Sequence, residues 1–355
     1  MRFRILLLAL AGALGVGCAA MADTAKTLPR VRVLATGGTI AGAQASATEY
    51  GYKSGAYDVN TLLAAVPNLD KLARISGEQV ANIGSQDMND AVWLQLAKRL
   101  NEVLKSSDTD AVLITHGTDT LEETSYFLSL VTKSKKGVVM VGSMRPATAV
   151  SADGPANIYN GVAAAIDPGA VGRGVLVSLN DEIHYARNVV KTDTTSLQTF
   201  MSLNRGPAGL VNTGKVTWFQ RMDKKLGPDS EFSVEKLEKL PRVDILYAHA
   251  NMSADLIDAA VANGAQGLVV AGVGDGNMTT PALDALAKAV KSGVVVVRST
   301  RLPMGLVLRN NEVDDDKTGT VASGELNPAK SRVLLQLALT RTKDPVRIQK
   351  MFYEY

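Results

Sequence analysis

Cysteine is almost missing from this chain: among 355 residues there is one, Cys18, and it falls in a segment that reads as a removable leader. Arg2 and Arg4 open that leader, an apolar run follows from Ile5 to Val16, and Ala20-Met21-Ala22 supplies a small-x-small cleavage site. Residues 1–22 are therefore expected to be a signal peptide, with the mature chain starting near Asp23 and exported to a bacterial periplasm. Without Cys18 the mature chain has no thiol for a disulfide, a thiolate metal site or a cysteine nucleophile, so its core must stabilise it. The residues before Cys18, Gly15-Val16-Gly17, match a lipidation box poorly. A transmembrane anchor needs about 20 apolar residues, and the leader's run is shorter.

An excess of one charge is lacking too. The chain has 38 Lys+Arg and 35 Asp+Glu, and losing Arg2 and Arg4 with the acid-free leader leaves 36 against 35, a net +1. So balanced a surface gives no electrostatic case for nucleic acid or an anionic membrane as partner. The three histidines, His116, His184 and His249, are scattered, and no P-loop, H-E-x-x-H or zinc-type spacing occurs. The stretch Gly272-Val273-Gly274-Asp275-Gly276-Asn277 starts like a dinucleotide fingerprint, but Asn277 stands where the third glycine belongs. These gaps together point to a site that works without metal or cofactor.

What remains is the composition of a soluble globular protein, 46% hydrophobic and 21% charged, with length enough for two domains. Short apolar runs repeatedly end in polar turns that open helices. Val31-Arg32-Val33-Leu34-Ala35 runs into Thr36-Gly37-Gly38-Thr39-Ile40-Ala41-Gly42, where paired glycines let the backbone turn tightly and approach a ligand. Val80 to Gly84 leads into Ser85-Gln86-Asp87, with a helix predicted from near Asn89 by the spacing of Val92, Leu96, Leu100 and Val103. Ala111-Val112-Leu113-Ile114 leads into Thr115-His116-Gly117-Thr118-Asp119-Thr120 and a helix from Leu121. A fourth strand ends at Gly142-Ser143, before a helix opened by Ser151-Ala152-Asp153-Gly154-Pro155-Ala156-Asn157.

Four such units in succession predict a parallel sheet, and ligands of open α/β sheets bind at the carboxyl ends of the strands. Thr118 or Asp119 alone would pass for a helix cap. Hydroxyls, a carboxylate and an imidazole crowded at one turn exceed what a cap requires. The stretch from Gly42 to Ala56, with Tyr50 and Tyr52 inside it, Tyr57 just after it and no apolar period, reads as a mobile loop fit to be a lid. A fifth strand, 174–179, is followed by polar residues 180–184, and Lys191 stands in a hydroxyl-rich stretch.

From 214 to 241 the composition shifts to Lys, Asp, Glu and Gly-Pro, the signature of a linker. The expected organisation is thus a larger N-terminal parallel-sheet domain at 23–213, that linker, and a smaller C-terminal α/β domain at 242–355. Strands at 243–248, 267–271 and 294–297 restart the pattern in the second half.

With Ala35-Thr36-Gly37-Gly38-Thr39-Ile40-Ala41 and Thr115-His116-Gly117-Thr118-Asp119-Thr120 both present, the chain from about Leu28 to Tyr355 resembles the bacterial type II L-asparaginases of the asparaginase/glutaminase family. The likeness extends to Gly77-Glu78-Gln79, Ser151-Ala152-Asp153-Gly154-Pro155 and Leu334-Leu335-Gln336-Leu337-Ala338-Leu339-Thr340. It implies a two-domain α/β fold, a homotetramer built from intimate dimers, and hydrolysis of L-asparagine to L-aspartate and ammonia. It makes Thr39 a catalytic threonine with Tyr52 as its hydrogen-bond partner, and matches Thr118, Asp119 and Lys191 to a second hydroxyl cluster. Ser85, Gln86 and Asp119 match the groups that hold the substrate's α-carboxylate and α-amine. Thr118 and Ser143 join them as substrate-binding candidates, and Asn277 and Glu312 would come from the neighbouring subunit. Two departures stand out: Ser134 lies near a position of the disulfide found in some members, and Asp275 replaces the more usual asparagine between two glycines.

The residue types suit the chemistry. An amide is a poor electrophile, so its hydrolysis needs an activated nucleophile, a base, and donors aimed at the developing oxyanion. Lys191 could serve as base if burial keeps it neutral, with Asp119 orienting it. The favoured assignment makes Thr39 the nucleophile and Thr118–Lys191 the proton relay, with backbone N–H groups at the glycine turns as oxyanion donors. A broad glutaminase-asparaginase is the nearest alternative, since one methylene gives a pocket only about 1–3 kcal/mol of discrimination. A periplasmic amino-acid-binding protein is another, but it has no use for two threonines beside a lysine and a carboxylate.

Overall fold

The computed structural model describes residues 27–48 and 51–355. The leader, Cys18 and Tyr50 lie outside the described residues. Eight strands make the large sheet: β1 (Arg30–Gly37), β2 (Arg74–Ile83), β3 (Ala111–Thr115), β4 (Gly137–Val141), β5 (Val175–Leu179), β6 (Glu182–Tyr185), β7 (Gly209–Asn212) and β8 (Lys215–Trp218). Their order is β8-β7-β6-β5-β4-β3-β1-β2, and the five from β5 to β2 run parallel. The strands β3, β4 and β5 are buried along their whole length. That explains their unbroken Val/Leu/Ile runs, because helices cover both faces of such a sheet.

The fifth strand does not end in another crossover. Asn180 and Asp181 take positive φ angles of 50° and 65°, and Leu179 pairs with Glu182. A two-residue loop with positive φ at both positions matches the twist of a β-hairpin, so β6 returns antiparallel beside β5. The stretch 214–241, read as a linker, likewise opens with edge strand β8, antiparallel to β7. Further on, Phe232, Val234 and Leu240 are buried in the core, so this connection is packed along much of its length.

Four strands form the second sheet in parallel order: β9 (Val243–Tyr247), β10 (Gly267–Gly272), β11 (Val295–Thr300) and β12 (Val321–Ala322). The helices that bear on the site are α1 (Val59–Ala64), α2 (Asp90–Lys105), α3 (Leu121–Val131), α4 (Gly154–Ile166), α5 (Asp255–Ala262), α6 (Thr280–Lys291), α7 (Pro328–Leu339) and α8 (Pro345–Glu354). Asn89 caps α2 by accepting from the Val92 amide at 3.2 Å, and Trp93, Leu96, Leu100 and Val103 line its buried side.

Helix α3 packs on α7, and one hydrophobic cluster runs from Leu34, Trp93 and Phe127 through to Val269, Leu334 and Phe352. The two sheets therefore share a core within one chain. The C-terminal Tyr355 is buried, its ring 4.9 Å from that of Phe232. Among the described residues no helix is long and apolar enough to cross a membrane.

Candidate active site

Three polar turns meet where β1, β2 and β3 end. After β1, Gly37 and Gly38 take φ angles of 99° and 87°, and the chain enters a short 3-10 turn, Thr39–Ala41. A Cβ built on Gly38 would lie 2.3 Å from both the Cα and the N of Gly117, and one on Gly117 would lie 2.7 Å from Ser85 Oγ. Backbone can come this close only where both residues lack side chains. The paired glycines thus press the Thr39 turn against the Thr118 turn, and Ser85 closes on the other side.

Thr39, 8% exposed, shares a 2.7 Å hydrogen bond with the Tyr52 hydroxyl. Tyr52 sits in a two-stranded ribbon, Tyr52–Lys53 against Ala43–Gln44, and is largely exposed. The segment expected to be a lid is thus tied to Thr39 through Tyr52, and to neighbouring loops through Gln44, whose amide donates to Thr148 Oγ1, and Gly55, whose amide donates to Gly38 O. Gly42 fits beneath it, since a Cβ there would lie 2.8 Å from the Tyr52 ring.

The second hydroxyl has its own partner. Lys191 Nζ donates to Thr118 Oγ1 at 3.0 Å and to Asp119 Oδ1 at 2.7 Å. Thr118 is buried, whereas the Asp119 side chain is 57% exposed. Neither caps α3: the position before it is Thr120, with no capping hydrogen bond from its side chain. The Thr120 hydroxyl donates instead to Ser85 O at 2.8 Å, and Ser85 Oγ accepts from the Asp119 amide at 3.1 Å.

The remaining candidates divide. Gln86 is exposed, its amide 3.3 Å from Asp87 Oδ2. Ser143 is fully buried, but its hydroxyl is spent on the Arg145 carbonyl at 2.7 Å. Asp153 accepts from the Met144 and Arg145 amides, so the Ser151–Asn157 motif shapes the Ser143 loop. Asn277 and Glu312 hydrogen-bond to each other at 2.8 Å. Among the described residues neither makes a hydrogen bond or ion pair with Thr39, Ser85, Thr118 or Lys191. They form a separate cluster on the smaller sheet.

That cluster is built on Arg298, a buried residue in β11 with no sequence cue beyond a charge inside a valine run. Its guanidinium donates to both Asp315 oxygens at 2.7 Å, to the carbonyls of Asp275 and Gly276, and to Leu308 O. It thereby ties the loop bearing Asn277 to the loop bearing Glu312. Burial alone would raise the Asp315 carboxyl, but hydrogen bonds from Arg298, Thr320 and the Asn310 amide hold it below its usual range. Asp275 accepts from the Leu308 amide at 2.7 Å and from the Asn311 side chain at 2.7 Å. The carboxylate at this unusual position is part of the same frame.

His116, at the centre of the third turn, is wholly buried. Its Nδ1 faces the Gly117 carbonyl at 2.7 Å, which makes Nδ1 the donor, and burial pushes its pKa down to about 4. A neutral imidazole is thus part of the packing beneath the two threonines.

Set beside known proteins, residues 30–224 match the asparaginase N-terminal family model and residues 242–352 the glutaminase/asparaginase C-terminal domain model. The chain is 53% identical over 342 residues to a probable periplasmic L-asparaginase of Haemophilus influenzae, covering 96% of each chain. It is 52% identical to L-asparaginase 2 of Escherichia coli, over 93% of this chain and 94% of that one. Against a glutaminase-asparaginase of Pseudomonas fluorescens biotype A it is 44% identical, over 94% and 92%.

Proposed function

Because the chain belongs to the asparaginase family, we propose that it hydrolyses L-asparagine to L-aspartate and ammonia with Thr39 as nucleophile. One observation carries this reading. Two buried threonine hydroxyls, each held by a side chain that can handle a proton, stand on turns pressed together at Gly38 and Gly117.

Thr39 Oγ attacks the side-chain amide carbon, giving a tetrahedral species whose oxyanion needs N–H donors. The amides of Gly38 and Asp119 are already donated, to Ile83 O and Ser85 Oγ. Among the described residues the amides of Thr39, Gly117 and Thr118 donate no hydrogen bond, and these are the oxyanion donors in this reading. The threonine proton passes to the leaving nitrogen, which departs as ammonia and leaves an ester on Thr39. Water then attacks the ester, losing its proton to the Thr118–Lys191 relay; the bond from the acyl carbon to Thr39 Oγ breaks, the relay returns the proton to that oxygen, and aspartate is released. As base, Lys191 must present a lone pair to Thr118, with Asp119 at 2.7 Å holding the rest of the amine in place.

Ser85, Gln86 and Asp119 face the α-carboxylate and α-ammonium of the substrate. Asn277 and Glu312 complete the pocket of a neighbouring subunit in a homotetramer of intimate dimers. No observation favours the glutaminase or the pure binding-protein alternative. In keeping with the leader and the name of the Haemophilus relative, the chain works in the periplasm.

The test is ammonia release from L-asparagine and L-glutamine in parallel, for the native chain and for Thr39→Ala. Release from asparagine that vanishes in the variant supports the reading. Asparagine turnover that Thr39→Ala leaves intact removes Thr39 from its role, and no turnover of either amide by the native protein sinks the enzyme reading.

A further inference from the structure

We infer that Glu122 is a positioning residue for Lys191, clamping the backbone of the lysine's strand to the same chain's C-terminal domain. Lys191 lies in a strand of only two residues, Val190–Lys191, paired on one side with Phe200–Met201. So short a ladder holds a side chain loosely unless something grips it from the other side. Glu122, one turn after Thr118 and 8% exposed, provides that grip: its Oε2 accepts from the Lys191 amide at 2.8 Å.

The carboxylate's other oxygen faces the C-terminal domain. Glu122 Oε1 accepts from Asn327 Nδ2 at 2.8 Å, and Lys330 Nζ stands 3.9 Å away. Asn327 caps α7 by accepting from the Lys330 amide at 3.0 Å. Lys330 is 1% exposed, and its ammonium donates to the Val189 carbonyl. The strand is therefore held at both flanks of Val190, by a carboxylate at Lys191 and an ammonium at Val189.

Charge explains why the parts come as a set. Burial drives the Lys330 ammonium down from its usual range, and Glu122 is the carboxylate that most opposes that shift, with Glu123 beside it and Arg187 acting against them. Removing one member of a buried charged pair leaves the other uncompensated. The clamp thus lets α7 fix where Nζ meets Thr118 and Asp119, from within one chain.

The inference rests on the hydrolytic reading for its kinetic arm, so a second arm reads the backbone alone. In Glu122→Ala, kcat for L-asparagine should fall by roughly tenfold or more while KM changes by less than about threefold, because a displaced base costs turnover rather than binding. Glu122→Gln keeps an oxygen for the Lys191 amide but loses the charge that faces Lys330, so it should regain part of that turnover, clearly more than Glu122→Ala. By hydrogen exchange, segment 189–191 should lose protection by roughly tenfold in Glu122→Ala, with strand 111–115 unchanged.

Equal losses in the Ala and Gln variants, or exchange that rises throughout the large sheet, would mark Glu122 as a general stabiliser and overturn the clamp. Unchanged exchange at 189–191 overturns it as well. If the native protein releases no ammonia at all, the hydrolytic reading fails, and the exchange comparison still decides the clamp.

Discussion

Gly38 and Gly117 touch backbone to backbone: a single added Cβ on Gly38 would sit 2.3 Å from Gly117 Cα. Gly38 also has φ 87° and ψ −175°, a conformation that only glycine adopts readily, at a cost to other residues of about 1–3 kcal/mol. Gly38→Ala should therefore lose far more stability than conformation alone explains. Gly172 is the control, with φ +76° and no atom within 4 Å of where a Cβ would stand. Its alanine variant should lose only about 1–2 kcal/mol in urea unfolding. Equal losses at the two sites would show that the contact between the turns is unimportant.

Lys191→Met should lower kcat by about 10²–10⁴-fold, the usual worth of a general base, with a much smaller rise in KM. The motive is the pair of contacts from Nζ to Thr118 and Asp119. L-Aspartate should still bind, as calorimetry can check. A large KM change with nearly normal kcat would instead make Lys191 a substrate-binding group.

His116 gives the fold a pH dependence of defined sign. Its pKa falls to about 4 in the folded chain, against about 6.5 unfolded. Between those values the unfolded state binds more protons, so stability rises with pH across that window. The contribution is complete above about pH 6.5, and on the order of 3 kcal/mol is lost as the pH falls to 4. His116→Asn, which can still donate to Gly117 O, should flatten this part of the stability curve. A variant as acid-sensitive between pH 4 and 6.5 as the native chain would show that His116 is not the cause.

Sharing of the pocket between subunits can be tested by complementation. Thr39→Ala and Glu312→Ala proteins should each be inactive alone. Mixed in one dimer, they leave one pocket with both lesions and one with neither, because a two-fold interface exchanges the same patches. Activity should return when the two are co-expressed. If exchange is demonstrated by mass spectrometry and no activity returns, Glu312 serves its own chain.

The parallel half of the large sheet is legible in the sequence because its signals are local. Apolar runs such as 111–114 and turns such as Thr36–Thr39 adjoin in sequence their own helices and loops, and they stay adjacent in space. The antiparallel edge is not legible. Asn180 and Asp181 follow a buried strand just as site residues do, yet they are the positive-φ corner of a hairpin. Lys215–Trp218 alternates exposed and half-buried residues as an edge strand should, but its charges resemble those of a linker.

Within the site, the pairings Thr39–Tyr52 and Thr118–Lys191 rest on resemblance; no spacing rule brings residues 73 positions apart together. Arg298 and Glu122 escape a reading of the sequence because a lone charge in a strand or helix is normally solvated. Their meaning lies in partners more than a dozen residues away, on other elements.

The order of strands β4, β3, β1 and β2 also sets a ruler. The turns bearing Ser143, Thr118, Thr39 and Ser85 follow those strands, and neighbouring strands lie about 4.8 Å apart, so three intervals span about 14 Å at most. Ser85 shortens that span by reaching across to the Asp119 amide. At about 3.5 Å per extended residue, a single amino acid is far shorter than this row, so only neighbouring turns of it can touch one such molecule at once.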